Sequence, residues 1–188
     1  MRPIRLGLAV LAVLLAPAAG LAQQPAASVA APPASPVLAA AQSLLDRYGG
    51  NITAAAQEMP ADKFGYKPTP EQMSFGQLLS HIAESNNLLC AHISDQPVPT
   101  ERPVAATEPK EQLVAAAQKS FAYCQDALTK VDPTRLGDEV TFFGQRKASR
   151  AMVLLALTGD LFDHYAEMAI YLRLNGLLPP TARPRPTM

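Results

Sequence analysis

The prolines of this chain are the feature that most limits what it can fold into. Eighteen of the 188 residues are proline, and they fall in clusters with long proline-free stretches between them. Because a proline inside a helix costs about 3 kcal/mol, helices end where the clusters begin. Each proline-free stretch carries apolar residues at helical spacing. The sequence therefore predicts an all-α four-helix bundle over residues 37–178, with helices at 37–59, 74–94, 109–131 and 149–175.

Local signals define some helix ends and connections. Ser74 and Gln77 have the spacing of a capping box at the start of helix 2. The thirteen residues 95–107 contain three prolines and reach roughly 40 Å when extended, so they can join helices 2 and 3 in either a parallel or an antiparallel arrangement. We expect the apolar run Val140–Phe143 to be a packed loop, because a single strand has no partner with which to form a sheet.

The first 22 residues have the pattern of a secretory signal peptide. Two arginines precede an eleven-residue apolar run, Leu6–Ala16, and small residues precede a cleavage position after Ala22. The run is too short to cross a hydrocarbon layer of about 30 Å as a helix, although a helical anchor is the alternative interpretation. Cleavage leaves 166 of the 188 residues, with two more acidic than basic side chains. We therefore expect a periplasmic or secreted protein with no membrane span after cleavage.

The segments on either side of the bundle lack bulky apolar residues. Residues 23–36 are uncharged and rich in Ala and Pro, and residues 179–188 contain four prolines. Neither segment can offset the entropy of ordering by burying apolar surface. We predict a disordered linker and a disordered tail.

Charge and cysteine content exclude several classes of protein. Sixteen basic and sixteen acidic side chains argue against a nucleic-acid partner held by phosphate contacts. Two cysteines are too few for a four-cysteine zinc site. Cys90 and Cys124 lie on helices 2 and 3, and we expect them to form a disulfide in an oxidising compartment. The alternative is two buried thiols whose geometry forbids a bond.

Three side chains on helices 2 and 4 are candidates for metal ligands. His81 lies among apolar residues of helix 2, while Asp160 and His164 are four residues apart in an otherwise apolar helix 4. Two imidazoles and one carboxylate leave an open position for water, as in catalytic zinc or non-haem metal sites. The alternatives are a solvated polar stripe on helix 4 and a core histidine at His81. We place His92 at the surface.

Two stretches of the sequence resemble a known family, the DinB-like domains. The run Phe75–Asn86 resembles the second helix of that family, and Tyr66–Glu71 is similar to the loop that leads into it. The run His164–Glu167, with the exit Tyr171–Pro180, is similar to its last helix. The resemblance covers residues 37–180 and implies a four-helix bundle whose second and third helices run parallel through a long crossover.

The same resemblance implies a metal site. The family's usual ligands are one His on the second helix and an H-x-x-x-H pair on the last. His81 and His164 match the outer members of that set, whereas the middle position is Asp160 here. An Asp also ligates zinc, nickel, manganese or iron(II), so we expect a divalent metal of one of these kinds. Activities known in the family include thiol-dependent transferases, a thiol-using isomerase and metal-dependent hydrolases. An exported protein would not meet the cytosolic thiols, which argues against a thiol-dependent transferase here.

Two hypotheses about function therefore stand side by side. The first is a metal-dependent hydrolase of an unknown small molecule, in which Glu84 or Glu167 acts as base or orients a ligand. The second is a non-catalytic periplasmic bundle that binds a small ligand or a partner and has a degenerate metal site. A homodimer is compatible with either hypothesis.

Overall fold

The four predicted helices form the bundle. The structure, a computed structural model, describes residues 35–101 and 103–184. Its helices are α1 (Pro36–Glu58), α2 (Phe75–Ser94), α3 (Lys110–Thr129) and α4 (Arg150–Leu174). Their apolar faces meet in one core, whose largest fully buried side chains include Leu45, Ile52, Phe75, Leu113, Leu128 and Tyr171. The all-α prediction is confirmed, and no helix in the described ranges is long and apolar enough to cross a bilayer.

The start of α2 is held by the predicted capping box. Ser74 Oγ accepts a hydrogen bond from the Gln77 amide at 3.2 Å, and the Ser74 amide donates to Gln77 Oε1 at 2.8 Å. Both amides would otherwise lack an intrahelical partner. At the next residue, a Cβ on Gly76 would lie 2.8 Å from the Ala106 carbonyl oxygen. The crossover loop therefore approaches α2 at a distance that only glycine allows.

α2 and α3 run parallel, as the family resemblance implies. Gly76 lies beside Leu113 near the start of both helices. Farther along, Asn86 Nδ2 donates to Ser120 Oγ at 3.0 Å, and Cys90 is bonded to Cys124. Because the partners advance in the same direction on both helices, the two chains have the same polarity.

The prediction that Val140–Phe143 is a packed loop and not a strand was wrong. Strand β1 (Glu139–Phe142) pairs antiparallel with β2 (Arg146–Ser149), with Glu139 opposite Ser149 and Phe142 opposite Arg146. The connecting turn places Gly144 at φ +64°, a conformation that favours glycine. The partner strand is polar and exposed, so its sequence carries no apolar alternation that would reveal it.

The C-terminal segment is ordered farther than its proline content suggests. Residues Pro180–Ala182 form a 3₁₀ turn. Thr181 accepts a hydrogen bond from Tyr165 Oη at 2.8 Å, and Arg183 pairs with Glu58 at 2.6 Å. These polar contacts to α4 and α1 replace the apolar burial that the tail lacks. The predicted signal peptide and nearly all of the predicted linker lie outside the described residues.

Candidate metal centre

α4 directs three ionisable side chains toward α2. Asp160, His164 and Glu167 recur at intervals of four and three residues, which places them on neighbouring turns of one helix side. His164 is buried, with 6% of its surface exposed, whereas Asp160 and Glu167 are partly buried. The polar stripe that these three residues form is therefore buried at its centre and is not a solvated face. Asp163 beside it is exposed.

His81 of α2 meets this group across the helix interface. The His81 and His164 rings pack edge to face, with their centroids 4.9 Å apart. One potential ligand atom from each of His81, Asp160 and His164 lies within 4.8 Å of the other two. The three predicted ligands therefore converge, as a shared cation would require.

Two buried atoms in this group have no hydrogen-bond partner. They are Nε2 of His164 and Oδ2 of Asp160. Nε2 lies 3.3 Å from the other Asp160 oxygen, Oδ1, but the two do not form a hydrogen bond in this geometry. Buried polar atoms are nearly always paired, so an unpaired nitrogen beside an unpaired carboxylate oxygen forms a group that a bound cation would satisfy. Both atoms are of the kinds that coordinate divalent metals.

Glu167 orients the His164 ring. Nδ1 of His164 lies 3.0 Å from Glu167 Oε2, and because an ionised carboxylate only accepts hydrogen bonds, Nδ1 is the donor. The opposite nitrogen, Nε2, is thereby turned toward Asp160 and His81. Carboxylates that accept a hydrogen bond from a ligating histidine recur around metal sites, where they fix the tautomer and increase ligand basicity.

The carboxylates also set the charge of His164. Burial lowers the pKa of the ring, but the two neighbouring carboxylates, Asp160 and Glu167, outweigh it and raise the pKa to about 9. Without a metal, the ring is therefore protonated at neutral pH. A cation with sufficient affinity would displace that proton from Nε2.

An aromatic wall borders Glu167, and our sequence reasoning did not include it. Burial and the charge of Glu167 raise the pKa of Tyr171, whose hydroxyl donates to the Met73 carbonyl at 2.9 Å. The Tyr66 ring meets the Tyr171 ring at 6.0 Å between centroids. Tyr171 follows Glu167 by one helical turn, and that spacing is the signal that points to it.

The two predicted catalytic carboxylates have different positions. Glu167 contacts His164, whereas Glu84 is exposed and its Oε1 lies 3.5 Å from Ser80 Oγ, which donates its proton to the Val104 carbonyl at 2.7 Å. In the described part of the chain, no hydrogen bond or ion pair joins Glu84 to the three candidate ligands. His92 is half-buried and is not part of the group either.

Glu84 instead lines an apolar cavity of about 530 Å³ between α2, the crossover and α3. Val98, Pro99 and Val104 of the crossover form much of its wall, and the Lys119–Glu101 ion pair lies at its edge. The candidate metal ligands do not line this cavity. A small-ligand site in this cavity and a metal site at the trio would therefore share no lining residue.

The predicted disulfide is present. Cys90 and Cys124 are bonded, with their Cα atoms 5.3 Å apart. The bond joins α2 to α3 on the protein's interior, where both residues are fully buried. It leaves no free cysteine in the part of the chain that is described.

Comparisons with known proteins agree on one family. The sequence model of the DinB superfamily matches residues 44–168. A DinB-like protein from Bacillus subtilis is 21% identical, with a TM-score of 0.62 over 78% of this chain and 99% of that one. A DinB-like protein from Bacillus cereus is 16% identical, with a TM-score of 0.61 over 74% of this chain and 95% of that one.

An enzyme has the same fold. The mycothiol-dependent maleylpyruvate isomerase is 14% identical, with a TM-score of 0.58 over 70% of this chain and 60% of that one. Likeness at this level of identity reports the fold alone. No curated protein matches the sequence.

Proposed function

The chain belongs to the DinB superfamily, and we propose that it is an exported member that binds one divalent metal ion through His81, Asp160 and His164 and hydrolyses a small molecule there. The observation that carries the proposal is the pair of unpartnered buried atoms, His164 Nε2 and Asp160 Oδ2, beside His81. Buried polar atoms are nearly always paired, and a bound cation would give both of these atoms a partner.

The donor set fits a borderline divalent cation. Two imidazole nitrogens and one carboxylate oxygen suit zinc, nickel, manganese or iron(II), and they are poor ligands for calcium or magnesium, which prefer oxygen. Three protein ligands are also the number found in catalytic sites. An ion held there would supply a Lewis acid, which polarises a carbonyl or phosphoryl oxygen.

The chain's own residues would position the reaction. Glu167 holds the His164 ring through Nδ1. Its side chain is 33% exposed, so the oxygen that does not bond His164 is open to accept a proton from a bound reactant. We therefore assign Glu167 both an orienting role and a proton-accepting role, and we leave Glu84 out of the site.

Export is the second part of the proposal. The buried Cys90–Cys124 bond is of a kind that persists in oxidising compartments. The charged start and apolar run within residues 1–22 add the composition of a cleaved signal. Fractionation of cells that produce the full chain, with intact mass of the exported form, tests this. We expect a periplasmic or extracellular protein that begins at Gln23, and a full-length cytosolic protein would refute export.

A non-catalytic ligand-binding bundle is the alternative, and the apolar cavity favours it. Its volume of about 530 Å³ lies within the range of roughly 300–1,000 Å³ that small-molecule sites occupy. Its wall is separate from the metal trio. If this cavity is the functional site, ligand binding will be insensitive to chelators and to changes at His164.

Hydrolysis assays with metal-loaded protein separate the two functions. We expect turnover of some ester, amide or phosphoester substrate after addition of Zn²⁺, Mn²⁺ or Ni²⁺, and its loss in Glu167→Gln. Glu84→Gln is the matched control, because it neutralises the other candidate carboxylate without touching the trio. Metal-dependent turnover that survives Glu167→Gln unchanged, or is lost equally in Glu84→Gln, would refute the assigned roles.

A further inference from the structure

The apolar cavity between α2, the crossover and α3 is much larger than a gap left by imperfect packing. Its volume is about 530 Å³, whereas the voids of a close-packed core rarely exceed one water molecule. Both helices place an alanine on its wall, Ala83 and Ala116, and Leu88 is only half-buried there. Val98 of the crossover is 43% exposed. The cavity therefore presents uncovered apolar surface to a molecule of drug size.

The crossover wall of this cavity is held in position without a ligand. Ser80 Oγ of α2 donates to the Val104 carbonyl at 2.7 Å, near the end of the crossover. Tyr123 Oη of α3 donates to the Pro97 carbonyl at 2.9 Å, near its start. Because both helices bond the backbone of the crossover, the cavity is preformed, as most small-molecule sites are.

The hydroxyl groups of the wall are already engaged with the protein. Ser80 and Tyr123 have the carbonyl partners just described. Ser120 Oγ accepts a hydrogen bond from Asn86 Nδ2 at 3.0 Å and donates to the Ala117 carbonyl at 2.8 Å. The body of a ligand therefore finds apolar contacts there and has to be apolar itself, since burying a polar group without a partner is unfavourable.

Two side chains of α2 remain for the polar end of a ligand. Glu84 is exposed and Asn87 is half-buried, and they line the cavity three residues apart, on neighbouring turns of the helix. The lysine that lines the cavity, Lys119, forms its ion pair with Glu101. In the described part of the chain, Glu84 has no ion-pair partner. An ionised carboxylate only accepts hydrogen bonds, so the group that Glu84 holds has to be a donor.

We propose that the cavity binds a small apolar molecule that ends in a primary amine. The ammonium donates to a Glu84 oxygen and to Asn87 Oδ1, and the apolar body fills the space between the helices and the crossover. A carboxylate at the same place is disfavoured, because Glu84 repels it and Lys119 would have to leave Glu101 to hold it. The candidate metal ligands do not line the cavity, so this site is independent of the proposed hydrolysis.

Calorimetric titration with three probes of similar length tests the amine assignment. Octylamine, octanol and octanoate have closely similar apolar chains and differ in the polar end, and a chelator in the buffer removes any contribution from a metal. At neutral pH and low salt, we expect octylamine to bind about 10-fold more tightly than octanol, and octanoate to bind most weakly. High salt should reduce the advantage of octylamine, because it screens the attraction between ammonium and carboxylate.

Two variants with matched controls test where the probes bind. Glu84→Gln should remove most of the advantage of octylamine over octanol, whereas Glu111→Gln, which changes an exposed carboxylate of α3 outside the cavity, should retain it. Ala116→Leu fills the cavity and should weaken octylamine and octanol about 10-fold or more. Ala122→Leu makes the same change on the exposed side of α3 and should leave both affinities unchanged. Circular dichroism checks that the variants keep their helices.

Several results would overturn the proposal. One is octylamine that binds no more tightly than octanol, and another is an advantage that survives Glu84→Gln in full. Octanoate as the tightest probe would show that a cation holds the polar end, and equal binding by wild type and Ala116→Leu would place the site elsewhere. Metal uptake and hydrolysis are measured without these probes, so failure of the amine site and failure of the metal site are distinguishable.

Discussion

Raising the pH from about 6.5 to about 9 should destabilise the metal-free protein. Burial lowers the pKa of His164, but Asp160 and Glu167 raise it to about 9. In an unfolded chain, the pKa of histidine is about 6.5. The folded state therefore holds the proton more tightly. The resulting stability is fully present below pH 6.5, and it is lost as the pH rises through about 9.

The size of the effect follows from the two pKa values. A difference of about 2.5 units corresponds to about 3 kcal/mol in the free energy of unfolding. The His164 side chain is only 8% exposed, whereas Asp160 and Glu167 are 22% and 33% exposed. Water screens the carboxylates in part, so we take about 3 kcal/mol as the upper limit.

Denaturant unfolding in the presence of a chelator measures this directly. Wild-type protein should lose most of the stated stability between about pH 6.5 and about pH 9. Glu167→Gln removes one of the two carboxylates and should reduce the loss by about half, while Glu84→Gln should show the wild-type loss. If wild type and Glu167→Gln have the same pH dependence, the assigned charge coupling is wrong.

Three further predictions concern the disulfide, the orienting carboxylate and a buried arginine. Reducing the disulfide opens a loop of 34 residues and should lower the free energy of unfolding by about 3–4 kcal/mol on the chain-entropy model. The measurement is the shift of the denaturation midpoint between oxidising and reducing conditions. Glu167→Gln should weaken zinc binding about 10–100-fold in calorimetric titration, with Glu84→Gln as the unchanged control. Arg150→Met should cost about 2–3 kcal/mol in thermal or denaturant unfolding, because the buried guanidinium pairs with Asp95 at 2.8 Å and with the Ile93 carbonyl. Asp95 is 52% exposed and regains water, so a loss above about 5 kcal/mol would contradict this reasoning.

Helices were predictable because their determinants are local. Proline clusters mark the ends, and the Ser74–Gln77 capping box marks the start of α2 within one residue of its observed bound. The observed helices begin and end within about two residues of the predicted ones, the usual uncertainty of such boundaries. The parallel course of α2 and α3 followed from the length of the crossover together with the family resemblance.

The hairpin was not predictable from the same signals. β1 contains Val140, which is buried, but its partner Arg146–Ser149 is exposed on three of four positions. Strand β2 buries little apolar surface, so backbone hydrogen bonds to β1 and the turn at Gly144 hold it in position. Such pairing leaves no periodic pattern in the sequence. The contacts of the C-terminal segment also leave no pattern in the sequence, since Thr181 is held by two hydrogen bonds to Tyr165 Oη and Arg183 by an ion pair with Glu58.

For the site, spacing identified the candidate ligands but not the role of each carboxylate. Glu84 and Glu167 both follow a histidine by three residues, so their sequence environments are equivalent. Only the packing of the helices distinguishes them, since Glu167 contacts His164 and Glu84 faces the crossover. The unpaired state of His164 Nε2 and Asp160 Oδ2 likewise exists only in three dimensions.

Metal content of the protein, purified without an affinity tag or chelator, tests the central claim most directly. Elemental mass spectrometry should find about one first-row divalent metal ion per chain, either in the protein as purified or after its dialysis against Zn²⁺. His164→Ala should lose it, and His92→Ala, which changes a histidine outside the trio, should retain it. A wild-type protein that takes up no metal, or a His164→Ala variant that binds as much as wild type, would contradict the account.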